Sequence, residues 1–264
     1  MKHRRGARLG QHFLTGTWAA EKLVESALIT SQDTVLEIGP GKGALTGEIL
    51  KTGARVVAIE KDDALPEQLR STFRSEIDAG RLQVIEGDVR DFDPEQCEPL
   101  AKGYILAANI PYYITGEIIR QFLTSSRQPS TMALLIQKEV ADRILARDGK
   151  ESILSLSVKA YGVPEIAAKV SKGNFTPPPQ VDSAILVVRT ISKDLFDQIS
   201  EEHFFRVVRT GFSSKRKFLA SNLSNEFERS TVVSALQSCG LSEKVRSEDV
   251  ALEQWKQIAL SLLR

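Results

Sequence analysis

The tetrapeptide Asn109-Ile110-Pro111-Tyr112 follows an apolar run, and its residue types suit chemistry on an aromatic amine. The lone pair of such an amine is delocalised into the ring, so the nitrogen is a poor nucleophile. The Asn109 side-chain oxygen and the Ile110 main-chain carbonyl can each accept one of its hydrogens, which favours a pyramidal, more reactive nitrogen. Pro111 fixes the turn, and Tyr112 offers a flat face for stacking. A purely structural turn after a strand is the alternative interpretation.

A second candidate for chemistry is the glycine-rich turn Gly39-Pro40-Gly41-Lys42-Gly43, which follows the apolar run Thr34–Ile38. Glycine allows close approach of a ligand to the backbone, and the next helix begins with free amides. Glu60 ends the following apolar run, where its carboxylate can accept hydrogen bonds from two ribose hydroxyls. Two glycines of the turn and an acid about 20 residues later also satisfy the dinucleotide fingerprint, so this loop alone leaves NAD open.

Asp88 lies directly after a third apolar run, in the pair Gly87-Asp88. A carboxylate at this place can accept a hydrogen bond from an adenine amino group, or it can cap a helix. The sequence leaves both interpretations open.

Short apolar runs alternate with helix-length segments over the first 190 residues, which predicts a parallel α/β sheet with helices on both faces. Their near-continuous apolar character is typical of strands that are buried on both faces. In such a sheet, ligands bind at the carboxyl ends of the strands, where the candidates above lie. The predicted strands are Thr34–Ile38, Arg55–Ile59, Leu82–Ile85, Tyr104–Ala108, Met132–Ile136 and Ala184–Val188.

After about Ile191 the pattern changes to short helical segments, which predicts a small all-α domain. We therefore expect a catalytic domain at 1–190, with a flexible basic arm at 1–8, and a helical RNA-binding domain at 191–264. The predicted helices of the second domain are Asp194–Thr210, Lys215–Leu223, Ser230–Ser238 and Glu253–Leu263.

The composition argues against a membrane protein, an exported protein and a metal-binding or disulfide-linked protein. No apolar stretch is long enough to cross a bilayer and no signal-type segment follows the basic N-terminus, so we expect a cytoplasmic protein without a membrane contact. Cys97 and Cys239 lie far apart, and the three histidines are scattered, so no disulfide framework or metal site is expected.

Positive charge is concentrated in places, although the formal net charge is only +1. The stretch from His203 to Leu219 contains no acid and is interleaved with phenylalanines. At helical spacing, we expect Phe204, Phe205, Phe212 and Phe218 to be core residues. The cations between them would then face solvent or contact phosphate groups. The candidate RNA contacts are Arg206, Arg209, Lys215, Arg216 and Lys217.

Three motifs together resemble one family. Asn109–Tyr112 is similar to the Asn-Leu-Pro-Tyr motif of enzymes that methylate exocyclic amines of nucleic-acid bases. Arg8–Leu14 resembles the Gly-Gln-Asn-Phe-Leu segment of ribosomal RNA adenine dimethyltransferases, and Phe175–Ala184 is similar to their Phe-x-Pro-Pro-Pro-x-Val-Asp-Ser-Ala signature. With Gln137–Val140 and the basic segment Ser214–Leu219, the resemblance covers nearly the whole chain.

The resemblance implies a Rossmann-like class I methyltransferase sheet, S-adenosyl-L-methionine as cofactor, and a small-subunit rRNA or pre-30S substrate bound by a monomer. It implies dimethylation of N6 of two adjacent adenines near the 3′ end of that RNA. Phe175 would take the face of the adenine opposite Tyr112. His12 stands where the family commonly has Asn, and an imidazole N–H can replace the amide donor. The family pattern and the glycine turn give His12, Leu14, Gly39, Gly41, Glu60, Asp88 and Asn109 as cofactor contacts.

Three alternatives stay open at this stage. A large-subunit rRNA adenine methyltransferase shares the motifs, although the three-proline signature and the helical C-terminal part favour the small-subunit enzyme. A non-catalytic RNA-binding or assembly factor could keep the fold, but the intact Asn109–Tyr112 motif with acids at 60 and 88 argues against it. The third alternative is an NAD-dependent dehydrogenase, which the glycine turn allows but the same tetrapeptide argues against.

Overall fold

The computed structural model describes residues 12–263. The expected basic arm at 1–8, and the part of the N-terminal motif before His12, lie outside the described residues. Within them the chain forms two compact units. The first unit comprises residues 12–141 and 163–191, and the second comprises 142–162 and 192–263. The expected division into domains 1–190 and 191–264 stays a prediction, and the second unit also includes the segment 142–162.

A seven-stranded sheet forms the centre of the first unit, and a two-stranded ribbon accompanies it. The order in the sheet is β4-β3-β2-β5-β6-β9-β7, and the ribbon pairs β1 with β8. The strands are β1 Phe13–Leu14, β2 Thr34–Ile38, β3 Arg55–Glu60, β4 Leu82–Glu86, β5 Ile105–Asn109, β6 Thr131–Gln137, β7 Val163–Val170, β8 Phe175–Thr176 and β9 Ser183–Arg189.

Helices precede β2, connect most of the strands from β2 to β6, and follow β6. Val35 and Leu36 are consecutive residues of β2 that point to opposite faces, and both are fully buried, so both faces of the sheet are covered. This arrangement confirms the α/β sheet with helices on both faces that the alternating pattern predicts, and the Rossmann-like fold that the resemblance implies. The helices are α1 Trp18–Ala27, α2 Ala44–Lys51, α3 Leu65–Thr72, α4 Arg74–Asp78, α5 Thr115–Thr124 and α6 Lys138–Leu145, and the boundary between the two units falls within α6.

The sheet is mixed rather than parallel throughout. The strands β4, β3, β2, β5 and β6 are parallel, but β9 pairs antiparallel with β6 and β7 pairs antiparallel with β9. The link from β7 to β9 holds a single 3₁₀ turn, β8 and the proline run, so it has no crossover α-helix, which a parallel pair would need. The expectation of a wholly parallel sheet is therefore wrong at this edge.

The register of the parallel strands brings their carboxyl ends to one edge of the sheet. Ile38 pairs with Ile59 on one side and with Ala108 on the other. Glu60 pairs with Glu86 in the next strand. The residues that directly follow these strand ends are thus neighbours in space, although they are far apart in sequence.

The second unit is helical throughout its described part. Its core includes Phe204 and Trp255, both with no exposed surface. The helix predicted over Asp194–Thr210 begins later, at Glu201, because the Ser200 hydroxyl accepts a hydrogen bond from the His203 amide and caps it there. The helices are α7 Ile153–Lys159, α8 Glu201–Gly211, α9 Leu219–Leu223, α10 Arg229–Ser238 and α11 Leu252–Ser261. Of the helices in residues 12–263, none is long and apolar enough to cross a bilayer.

Candidate active site

A cleft lies at the carboxyl ends of β2 to β5, with an empty volume of about 1070 Å³ that includes space open to solvent. Ligand pockets of this kind can hold a nucleotide cofactor. The structure brings ten of the predicted site residues to this cleft: His12, Leu14, Gly39, Gly41, Glu60, Asp88, Asn109, Ile110, Pro111 and Tyr112.

The glycine turn forms the floor of the cleft and needs its glycines for two reasons. Gly39 and Gly41 have φ angles of 64° and 60°, which side chains rarely adopt. A Cβ on Gly41 would also lie 3.0 Å from the Phe13 ring, whereas a Cβ on Gly39 would meet nothing within 4 Å. The turn therefore leaves open space beside its backbone, as a bound ligand requires.

Glu60 joins the end of β3 to this turn. Its side chain is 3% exposed, and its two oxygens accept hydrogen bonds from the amides of Gly41 and Asp62, both at 2.9 Å. Burial raises the pKa of Glu60, while the Asp62 and Gly41 amides lower it in part. Each carboxylate oxygen has a further lone pair, so Glu60 can hold the turn and still accept from hydroxyl groups of a ligand.

Asp88 both lines the cleft and caps a turn, so the two interpretations that the sequence left open describe one side chain. Its carboxylate accepts a hydrogen bond from the Arg90 amide at 3.1 Å, which caps the 3₁₀ turn Val89–Asp91. The Arg90 guanidinium and the Lys61 ammonium also bind it, the latter at 2.6 Å. These cations, Arg90 above all, hold the pKa of Asp88 well below its usual range. A ligand amine would therefore compete with two cations for this carboxylate.

Asn109 ends β5, and one contact fixes the orientation of its amide. The side-chain nitrogen donates a hydrogen bond to the main-chain carbonyl of His12 at 2.9 Å. Because a carbonyl can only accept, the NH₂ group must face His12, and Oδ1 is left to accept from another group. The amide of Ile110 donates to the Leu135 carbonyl at 3.3 Å, which holds the start of the turn against β6.

Tyr112 is held at both ends. Its hydroxyl shares a hydrogen bond of 2.7 Å with the Ser183 hydroxyl, and its ring lies 5.7 Å from the His12 ring. Burial raises the pKa of the Tyr112 hydroxyl, and the bond with Ser183 opposes this in part. The ring is therefore a fixed, partly buried face at the cleft.

His12 has already used the donor that was expected for a ligand. Its Nδ1 lies 2.7 Å from the Pro177 carbonyl, so Nδ1 carries the hydrogen. In a neutral imidazole the remaining nitrogen, Nε2, is an acceptor. In the neutral ring the N–H that was expected to replace the Asn donor is taken by Pro177, and the cofactor contact of His12 stays a prediction.

Phe175 is the predicted catalytic residue that the structure does not bring to the cleft. Its ring is 3% exposed and belongs to the hydrophobic core of the first unit. It lies in β8, where it pairs with Leu14 of β1. The ring has no free face in this structure, and the stacking role of Phe175 stays a prediction.

Glu37 is a buried residue of the cleft that the sequence reasoning missed. It is 1% exposed, and its Oε2 accepts a hydrogen bond from the Thr46 hydroxyl at 2.7 Å. Its Oε1 has no partner among the described residues. Burial raises the pKa of Glu37 to about 8, although the Thr46 hydroxyl opposes this. The sequence signal that could have identified Glu37 is that it is the one acid within the mostly apolar run of β2.

The predicted RNA contacts differ in their surroundings. Arg206 is engaged within its own unit, because it binds His203 Nδ1 at 3.0 Å and Glu226 at 3.3 Å and lies over the Phe227 ring. The other four cations are exposed, and the described part of the chain provides no ion pair for them: Arg209, Lys215, Arg216 and Lys217.

The fold and the cleft define a class. The sheet is Rossmann-like, with a glycine turn after β2, an acid at or just after the ends of β3 and β4, and Asn-Ile-Pro-Tyr starting at the end of β5. This arrangement is that of a class I methyltransferase acting on exocyclic amines. The family model described as ribosomal RNA adenine dimethylase matches residues 2–263. The chain belongs to this family, and it is an S-adenosylmethionine-dependent rRNA adenine dimethyltransferase.

Individual relatives agree with this membership. The ribosomal RNA small subunit methyltransferase A of Dehalococcoides mccartyi (strain CBDB1) is 37% identical over 98% of this chain and 88% of its own length. The protein of that name from Thermosynechococcus vestitus is 38% identical over 96% of this chain and 94% of its own.

Two solved structures resemble the whole fold. The 23S rRNA methyltransferase ErmE has a TM-score of 0.79 and 26% identity, and it covers 96% of this chain and 100% of its own. A dimethyladenosine transferase from Plasmodium falciparum has a TM-score of 0.77 and 26% identity, with 94% and 96% coverage.

Proposed function

We propose that this enzyme dimethylates N6 of two adjacent adenines near the 3′ end of small-subunit rRNA during ribosome biogenesis. The support for the small subunit is the relatives of 37% and 38% identity, which are aligned over most of their length and are named small-subunit methyltransferases. The substrate is the rRNA itself or a pre-30S particle, met in the cytoplasm by a monomer of this chain.

The orientation of the Asn109 amide is the single observation that carries the proposed chemistry. Since its NH₂ group is used by the His12 carbonyl, Oδ1 is the part that can meet a substrate. Oδ1 and the Ile110 carbonyl accept the two N6 hydrogens and favour a pyramidal nitrogen. S-adenosylmethionine, when bound, supplies a methyl group activated by its sulfonium. A strong base is not required of the chain, because alkylation acidifies the remaining N–H.

The cleft residues fit this cofactor, and each of them contacts a different part of it. Glu60, with lone pairs to spare, accepts from the ribose hydroxyls, and Asp88 accepts from the adenine amine in place of a cation. The open space beside Gly39 admits the methionine part of the cofactor, and Gly41 keeps the turn close to Phe13 next to it. His12, with Leu14 beside it, offers the Nε2 acceptor to the α-ammonium group.

Tyr112 provides the stacking face for the target adenine. The Ser183 hydroxyl and the His12 ring fix the orientation of its ring before RNA binds. A fixed face reduces the conformational entropy lost on binding. Stacking of Phe175 on the opposite face of the adenine would require its ring to leave the core.

A direct test is to incubate the protein and S-adenosylmethionine with unmethylated small-subunit rRNA, pre-30S particles and large-subunit rRNA. Primer extension should then stop at two adjacent adenines near the 3′ end of the small-subunit RNA only. Stops in the large-subunit RNA alone would reject the proposal.

The large-subunit substrate is the second candidate, and the similarity to the 23S rRNA methyltransferase ErmE over the whole chain favours it. That structure is 26% identical, whereas the small-subunit relatives reach 38%. The same primer extension experiment decides between the two substrates.

A further inference from the structure

A basic loop of residues 212–218 connects α8 to α9 and presents an aromatic ring to solvent. Lys215, Arg216 and Lys217 are exposed, and the next residue, Phe218, is 42% exposed. The expectation that Phe218 is a core residue is therefore wrong. Helical spacing does not apply to it, because α9 begins only at Leu219.

The loop is held from inside by a buried amide. Asn222 has no exposed surface, and its Nδ2 donates hydrogen bonds to the Gly211 carbonyl at 2.6 Å and to the Ser214 carbonyl at 3.0 Å. The Ser247 hydroxyl also donates to the Gly211 carbonyl. Buried hydrogen bonds of this kind are costly to break, so the first part of the loop has one preferred shape.

Both ends of the loop are also fixed, one by packing and the other by a hydrogen bond. The Phe212 ring stacks on the buried Trp255 ring at 5.6 Å, and a Cβ on Gly211 would lie 2.4 Å from the same indole. At the other end, the Leu219 amide donates to the Val245 carbonyl at 2.8 Å. The first phenylalanine of the loop thus points into the core, and the last one does not.

An aromatic ring exposed beside three cations is the composition of a surface that binds single-stranded nucleic acid. Bases stack on aromatic side chains while cations follow the phosphates. Protein interfaces are depleted in lysine, so the surroundings of Phe218 favour RNA over a protein partner. The loop is already shaped, so little conformational entropy would be lost on binding.

We propose that Phe218 stacks on an unpaired base of the substrate RNA, with Lys215, Arg216 and Lys217 on the adjoining phosphates, and that Asn222 holds the loop in the shape this requires. The inference rests on the proposed function in one respect, which is that the substrate is an RNA with unpaired bases.

The test compares the full-length protein with Phe218→Leu, which keeps apolar volume and removes the aromatic face. Binding is measured by fluorescence anisotropy to a small-subunit 3′-terminal RNA with unpaired adenines and to a fully paired duplex of equal length. Phe218→Leu should weaken binding to the first RNA by about five- to a hundredfold and leave the duplex unchanged. Ile153→Ala is the matched control, because Ile153 is 41% exposed in the same unit.

Salt dependence separates stacking from charge. Phe218→Leu should leave the slope of log K against log salt unchanged, because stacking releases no counterions. The triple change of Lys215, Arg216 and Lys217 to Gln should make the slope shallower by up to about 2. A shallower slope in Phe218→Leu, or equal loss on both RNAs, would overturn the stacking assignment.

The role of Asn222 in holding the loop can be tested without RNA. Asn222→Ala should loosen the loop, so trypsin should cut after its three exposed cations several times faster than in the wild-type protein. Phe218→Leu should be cut at the wild-type rate. Equal cleavage of wild type and Asn222→Ala would overturn the role given to Asn222.

Measurements on the wild-type protein distinguish failure of the proposed function from failure of the inference about Phe218. If it neither binds nor methylates the small-subunit RNA, the proposed function fails. If it does both, and Phe218→Leu binds the unpaired RNA as tightly, only the inference about Phe218 fails.

Discussion

At the scale of single residues, Asn109 shows what a sequence motif can and cannot predict. The turn motif singles out the residue and predicts its chemistry. The orientation of its amide, however, depends on the His12 carbonyl, which lies 97 residues earlier in the chain. No local pattern reports such a contact, and the same holds for Pro177, which takes the His12 donor.

Glu37 gives a prediction about pH and stability. Because folding raises its pKa from 4.5 to about 8, the folded protein holds a proton that the unfolded chain releases. The free energy of unfolding should therefore fall as the pH rises from about 4.5 to 8, by up to a few kcal/mol. Glu37→Gln cannot ionise, so denaturant unfolding at pH 5, 6.5 and 8 should show a flatter dependence. Parallel profiles for the two proteins would contradict the assignment.

Arg90 gives a prediction about the cofactor. Its guanidinium occupies the Asp88 carboxylate, which the adenine amine is proposed to use. Arg90→Gln should therefore bind S-adenosylhomocysteine several times more tightly in calorimetric titration. Arg70→Gln is the matched control, since Arg70 pairs with Glu86 at 2.6 Å outside the cleft. Weaker binding by Arg90→Gln would show that Arg90 supports the site instead of competing for it.

At the scale of elements, the glycine turn is the part that local physics determines most tightly. Gly41→Ala combines a φ of 60° with a Cβ 3.0 Å from the Phe13 ring, so it should cost about 1–2 kcal/mol or more in unfolding experiments and weaken cofactor binding. Gly80→Ala has a φ of 69° and open space, so it should cost stability without affecting the cofactor. Equal cofactor affinity in the Gly41 and Gly80 variants would contradict the role of the turn.

The strands with continuous apolar runs could be predicted from the sequence, but β7 at one edge of the sheet could not. Continuous apolar runs gave β2 to β6 and β9. Strand β7 was missed because it is an edge strand with Pro164, Glu165 and Lys169 on it, and its residues are mostly part-exposed. The antiparallel direction of β9 depends on its pairing partner, which a run of apolar residues does not specify.

Two aromatic residues show that burial is hard to predict from the sequence. A family motif assigns Phe175 to the site, whereas β8 carries it into the core in this structure. Phe218 was assigned to the core by helical spacing, yet it precedes the helix. Burial is a tertiary property, and neither a motif nor a period fixes it for a residue in a short strand or a loop.

At the scale of the whole molecule, cofactor specificity should appear as a change in global stability. A ligand that binds only the folded protein adds about 2.7 kcal/mol at a concentration of 100 Kd. S-adenosylhomocysteine should therefore raise the Tm by several degrees, and NAD should leave it unchanged. A rise with NAD alone would support the dinucleotide interpretation that the glycine turn first allowed.

The positioning of N6 by Asn109 is tested most directly by single-turnover methyl transfer with Asn109→Ala on small-subunit rRNA, with dimethyladenosine measured by mass spectrometry. We predict a rate at least about 100-fold below that of the wild-type protein, with the Kd for RNA within about twofold. Dimethyladenosine formed by Asn109→Ala at the wild-type rate would contradict the account.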